Sequence, residues 1–124
     1  DEFRIAIVGE SELKESLLSL IKIKSSGTGK KIKVISIEEG DVVPCEILFI
    51  PNSESSSLAA LQKEYGNKGI LIVTEDGKNA SKGAIINLIN VGNKIRFEIY
   101  QSNAKAEGIK ISSKLSELAT TVYP

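Results

Sequence analysis

The sequence predicts an α/β fold: one Rossmann-like domain over residues 1–124, with a mixed sheet flanked by helices and a C-terminal antiparallel hairpin. Three observations carry this reading. Residues 3–9 and 47–50 are compact apolar runs, the form of strands buried on both faces of a sheet. Leucines follow them at helical spacing, at Leu13, Leu17 and Leu20 and again at Leu58 and Leu61. Residues 84–91 and 94–100 then flank Gly92-Asn93, a two-residue loop that tolerates positive φ and closes an antiparallel hairpin.

Taken in order, residues 3–9 form a strand near the middle of the sheet, ending in Gly9. Ser11 caps a helix to about Lys22, with Leu13, Leu17, Leu20 and Ile21 on one face. The run Ser26-Gly27-Thr28-Gly29-Lys30-Lys31 resembles a phosphate loop only superficially. The first Gly of that motif would fall at Lys24, no Ser or Thr follows Lys30, and a strand follows in place of a helix. It reads as a connector to a second strand at 32–37. Glu38, Glu39 and Asp41 lack calcium-loop spacing and read as a solvated turn. A third strand at 47–50 stops at Pro51. Asn52 or Ser53 caps the next helix, whose Leu58, Leu61 and Tyr65 share a face and which Gly66 ends. The fourth strand spans 69–74.

The hairpin register follows from its turn. Val91 faces Lys94, Ile89 faces Arg96, Asn87 faces Glu98 and Ile85 faces Tyr100, while Leu88 with Phe97 and Ile86 with Ile99 point to the other side. The second strand alternates cleanly and belongs at or near a sheet edge. Residues 102–107 form a short helical turn closed by Gly108, followed by a brief extended segment with Ile109 and Ile111. Ser112 or Ser113 caps a last helix with a buried stripe of Leu115, Leu118, Ala119 and Val122.

Composition narrows the function. The chain has 124 residues, 41% hydrophobic and 26% charged, enough for one core and too few for two. Sixteen basic residues balance sixteen acidic ones without a basic patch, so nucleic acid is not an expected partner. No window approaches ~18 consecutive apolar residues, so no membrane span is expected. The opening Asp1-Glu2-Phe3, without an initiator Met, reads as a trimmed or processed chain, and removal of a signal peptide and a cut from a longer protein would look the same. The chain has no His, Met or Trp and one Cys, which removes His-based bases, nucleophile triads and the usual zinc sets. The expectation is a non-enzyme without metal or cofactor. Cys45, directly before the apolar run 46–50, reads as an inert core thiol.

Ligands of open parallel sheets gather outside the carboxyl ends of strands. The residues there are Glu10, Ser11, Asn52, Ser53, Glu75 and Asp76, the expected ligand- or partner-binding set. Gly9-Glu10-Ser11 lacks the three spaced glycines of a dinucleotide turn, and its carboxylate would repel phosphate. It reads as a tight strand-to-helix turn.

Three blocks carry a family resemblance: Gly83-Ala84-Ile85-Ile86-Asn87-Leu88, Ile95-Arg96-Phe97-Glu98-Ile99 and Gly108-Ile109-Lys110-Ile111-Ser112-Ser113-Lys114-Leu115. Together with residues 3–9 and their Gly-Glu-Ser turn, and with the strand at 45–50, they resemble the YfiR-like family of bacterial periplasmic proteins along nearly the whole chain. The chain departs from the family at Ala84 and Ile85, where members often have Gly and Met, at Tyr100, where they have Asn, and at Ser116, where they have Leu. Its lone Cys45 supplies none of the disulfides that brace members with paired cysteines. Asn87, Arg96 and Glu98 match the family pattern, and the register gives them a scaffold role.

The resemblance implies a non-catalytic regulator exported to the periplasm, which binds the outward-facing part of an inner-membrane signalling enzyme. In the relative that gives the family its name, that partner makes cyclic di-GMP and is held inactive. Related domains are attached to sensor histidine kinases, and homodimers would be in keeping with the family. A regulator of this kind should expose an apolar patch. The alternative is a small-ligand-binding sensor with its pocket at the strand carboxyl ends. A flavodoxin-like hydrolase or nucleotide enzyme and a structural piece of a larger receptor are weaker readings.

Overall fold

The computed structural model describes residues 2–9, 31–38, 43–51, 58–66, 68–75, 83–92, 94–111 and 113–124. Seven strands form one mixed sheet: β1 (Glu2–Val8), β2 (Lys31–Ile37), β3 (Ile47–Ile50), β4 (Leu71–Glu75), β5 (Ile86–Val91), β6 (Lys94–Tyr100) and β7 (Thr121–Tyr123). Three described helices join them: α1 (Leu58–Tyr65), α2 (Gln101–Ala106) and α3 (Ser113–Leu118). The strand order is β2-β1-β3-β4-β5-β6-β7. The first five run parallel, β6 is antiparallel to β5, and β7 is parallel to β6. This is the doubly wound α/β order extended by a hairpin and an edge strand, with the order reversing between β1 and β3.

Burial explains the strands. Ala6 and Ile7 are both fully buried although they point to opposite faces, so β1 is enclosed on both sides as its apolar run predicts. Register links Ala6 to Ile35 and Leu48, Leu48 to Ile72, and Val8 to Ile37. These residues lie on one face, and α1 sets Leu58, Leu61 and Tyr65 against them in a single core. Burying each of those two leucines is worth roughly 1.5–3 kcal/mol. The predicted helix caps at Ser11 and at Asn52 or Ser53, the helix from Ser11 and the 26–30 connector lie outside the described residues. So do Glu39 and Asp41 of the acidic turn.

The hairpin forms with the register read from its turn: Ile86 with Ile99, Asn87 with Glu98, Leu88 with Phe97, Ile89 with Arg96 and Val91 with Lys94. Gly92 has φ of 65°, the left-handed conformation that such a turn demands. The strand starts at Ile86, and Ile85 keeps contact with Tyr100 through an N–H to carbonyl bond of 2.9 Å.

The C-terminus departs from expectation. The last helix ends at Leu118, which is 67% exposed, and Val122 lies in a strand and is 38% exposed, so the expected buried stripe does not form. The chain turns back instead, Thr120 N–H bonding to the Phe97 carbonyl at 2.8 Å, and lays Thr-Val-Tyr along β6. Two β-branched residues and a tyrosine suit a strand, and β6 offers an unpaired edge that a further turn of α3 could not satisfy. Ile109 and Ile111 stand in no regular element. The Ile109 N–H closes α2 on the Ala104 carbonyl at 2.9 Å.

Candidate functional site

Of the six predicted site residues, Glu10, Ser11, Asn52, Ser53 and Asp76 lie outside the described residues. Glu75 is the half-buried last residue of β4, opposite Leu88 in register. The described structure therefore defines no grouping of the six. Gly9 marks the β1 exit, with φ of 72° and its N–H on the Ile37 carbonyl at 2.8 Å. Among the described residues no three His, Cys, Asp or Glu side chains gather where a metal ion would sit, and no helix is long and apolar enough to cross a membrane.

A cavity of about 330 Å³ opens at the other end of the strands. Arg4 near the start of β1, Val43, Pro44 and Cys45 leading into β3, Tyr65 at the end of α1, and Lys68 and Ile70 leading into β4 line it. Each wall is held in place. The Arg4 guanidinium grips the Glu46 carboxylate from Nη2 to Oε2 at 3.1 Å and from Nε to Oε1 at 3.4 Å, while Arg4 N–H donates to Oε1 at 2.6 Å. Paired charge-assisted contacts of this kind fix orientation. Tyr65, fully buried, accepts the Val43 N–H on its hydroxyl oxygen at 3.0 Å. Glu107, just past α2, accepts the Lys68 and Gly69 N–H groups at 3.1 and 2.9 Å. That leaves the Lys68 ammonium 6.0 Å from the centre of the Tyr65 ring, within cation–π range.

Cys45 is buried in this wall as expected. Burial pushes its thiol above its ordinary pKa, the Glu46 charge adds to the rise and Arg4 partly offsets it. A thiol so placed is kept protonated, which suits packing better than nucleophilic chemistry.

At the far side of the sheet a polar row crosses four strands. Thr74 donates its hydroxyl to Asn87 Oδ1 at 2.6 Å, Asn87 Nδ2 donates to Glu98 Oε1 at 3.0 Å, and Tyr123 donates its hydroxyl to Glu98 Oε2 at 3.1 Å. Tyr123 also stacks on Tyr100, ring centres 4.9 Å apart and planes 10° apart. Asn87 and Glu98 thus serve the scaffold, as their register implies. Burial, followed by the Glu98 and Tyr123 charges, raises the Tyr100 pKa, and the hydrogen bond to Glu98 is the main cause of the rise at Tyr123. Among the described residues the large exposed apolar side chains are Leu118 of α3 and Val122 and Tyr123 of the edge strand β7, with Val122 and Tyr123 on opposite faces of that strand.

Sequence reading missed both of these places. The cavity is built from residues 4, 43–45 and 65–70, which share no local spacing, and the β7 patch depends on a strand of three residues. The one local signal was the Thr-Val-Tyr composition itself.

A seven-stranded, mostly parallel sheet with flanking helices, a scaffold row and two exposed features defines a Rossmann-like α/β domain. The chain belongs to the YfiR/HmsC-like family, which matches residues 1–120. Nine chains of known structure match it. One, a conserved domain protein from Vibrio cholerae O1 biovar El Tor, aligns over 96% of this chain with a TM-score of 0.67 and 15% identity. The match spans 54% of that longer chain, about half its length, and at this identity it shows the fold alone. No curated protein matches the sequence.

Proposed function

We propose that the chain is a non-catalytic periplasmic regulator, one domain over residues 1–124, that binds the periplasmic part of an inner-membrane signalling enzyme and modulates it. The partner is a diguanylate cyclase or a sensor kinase, so the output is cyclic di-GMP or phosphorylation. Membership of the YfiR/HmsC-like family supports this reading. The observation that carries it here is the exposure of large apolar side chains in the C-terminal segment, Val122 and Tyr123 of the edge strand β7 at 38 and 39% and Leu118 of the preceding helix at 67%. A regulator that works by contact needs such side chains, because exposed apolar groups gain free energy when a partner covers them. A homodimer using the same edge is part of this reading.

Crosslinking in intact cells tests it, with the exported chain as bait and mass spectrometry of what it captures. Reproducible capture of one membrane cyclase or kinase, lost in the Leu118→Asp, Val122→Asp double variant, is the expected result. An exported, folded bait that captures neither enzyme class would overturn the regulator reading. Capture undiminished in the double variant would remove the edge from it.

The six strand-exit residues Glu10, Ser11, Asn52, Ser53, Glu75 and Asp76 remain the second proposed contact set, on the rule that doubly wound sheets bind at their carboxyl ends.

A further inference from the structure

The cavity at the amino ends of the strands lies across the sheet from the β7 edge and plays no part in the regulator reading. We propose that it binds a small amphipathic carboxylate, with the anionic group at Lys68 Nζ and the apolar body against Tyr65, Val43, Cys45 and Ile70.

The volume is about 330 Å³, at the small end of ligand pockets, which suits a molecule of about ten heavy atoms. Most of the wall is apolar: Cys45, Tyr65 and Ile70 are buried and Val43 half-buried, so the body of the ligand must be apolar too. The charges decide the rest. Arg4 and Glu46 neutralise each other, and the Glu107 carboxylate accepts two backbone N–H groups. Lys68 makes no ion pair among the described residues, and its ammonium sits over the aromatic wall. A complementary ligand therefore brings one negative charge next to a flat or branched apolar group.

The same geometry argues against a phosphate. Phosphate sites gather several backbone N–H groups in a glycine-rich cradle, and the Lys68 and Gly69 N–H groups are already bonded to Glu107. The cavity is also set in advance. Val43 fixes the Tyr65 ring through its hydroxyl and Glu107 fixes the loop that carries Lys68, so little ordering is left to oppose binding.

The test is calorimetric titration of the full chain with three matched probes: phenylacetate, its neutral amide and phenethylamine. Phenylacetate should bind saturably, the amide about tenfold more weakly and the amine not measurably, because a charge-assisted contact to an exposed ammonium is worth about that ratio. Lys68→Gln should bring the acid down to the level of the amide, and Lys68→Arg should keep the preference. Lys68 is exposed, so both variants should fold, which circular dichroism checks. Saturating phenylacetate should also slow modification of Cys45 by a thiol reagent, which places the ligand at this wall. Absence of saturable phenylacetate binding, a preference for the acid that survives Lys68→Gln, or Cys45 labelling indifferent to the probe would each overturn the proposal. None of these readouts depends on partner capture, so the two readings fail separately.

Discussion

Two halves of one sheet face use opposite chemistry. From β2 to β4 the face is apolar, with Ala6, Val8, Ile37, Leu48, Ile50 and Ile72 closed over by α1. One register step further, Ile50 aligns with Thr74, Thr74 with Asn87, Asn87 with Glu98 and Glu98 with Thr121, and the row turns polar. The first half is held by area removed from water and the second by a chain of directed hydrogen bonds. Burial tolerates any well-fitting apolar set, whereas a hydrogen-bonded row fixes which strand lies beside which. The difference matters because β7 comes from a short segment that needs specific partners to find its place.

The largest break in this comparison is expected at Leu61, a fully buried residue of α1 that packs into the core. Leu61→Ala should cost about 2–5 kcal/mol through lost burial and the cavity left behind, read from the urea midpoint. Next, Asn87→Ala leaves Thr74 and Glu98 without their shared partner and should cost about 1–3 kcal/mol. A double-mutant cycle with Thr74→Val should show coupling, whereas Leu61 paired with Thr74 should be additive. Tyr65→Phe removes the acceptor for the Val43 N–H and should cost about 1 kcal/mol, with the ring kept in the core.

Alkaline pH tests both halves together. The Cys45 thiol and the Tyr100 and Tyr123 hydroxyls all have pKa values raised in the fold. A group that holds its proton more tightly when folded gives a contribution that is whole below its unfolded pKa and is lost as pH rises through the folded value. Stability should therefore be level through neutral pH and fall above the ordinary thiol range, about 8.5, and again past the tyrosine range near about 10. In Cys45→Ala the first decline should be absent from a series of urea melts.

The smallest effect is expected from Tyr123→Phe, which keeps the stack on Tyr100 and removes the bond to Glu98. Amide hydrogen exchange over residues 121–123 should quicken while the β1–β4 amides stay unchanged. Equal quickening in both halves would erase the distinction drawn between them.

What could be read from the sequence follows the same divide. The hairpin register was legible because a two-residue turn fixes every pair beyond it, and β3 and α1 because an apolar run before Pro51 and the Leu58, Leu61, Tyr65 spacing are local patterns. β7 was not legible. Three residues have no periodicity, and the Glu98 that anchors Tyr123 lies 25 positions away. Val122 fell at a helical spacing from Leu118 by coincidence, and the missing edge of β6 overrode it. The cavity was hidden for a related reason. The rule for parallel sheets directs attention to the carboxyl ends, and nothing local marks Arg4 and Lys68 as neighbours of one hollow.

The tyrosine stack makes the molecule its own spectroscopic gauge. The chain has three tyrosines and no tryptophan, and two of the three lie face to face across β6 and β7. The near-ultraviolet dichroism should therefore carry a contribution from a coupled pair that exists only while the last strand is docked, beside that of the buried Tyr65. Any partner, solvent or substitution that peels or re-seats that strand can be followed as a change in this signal, without a label.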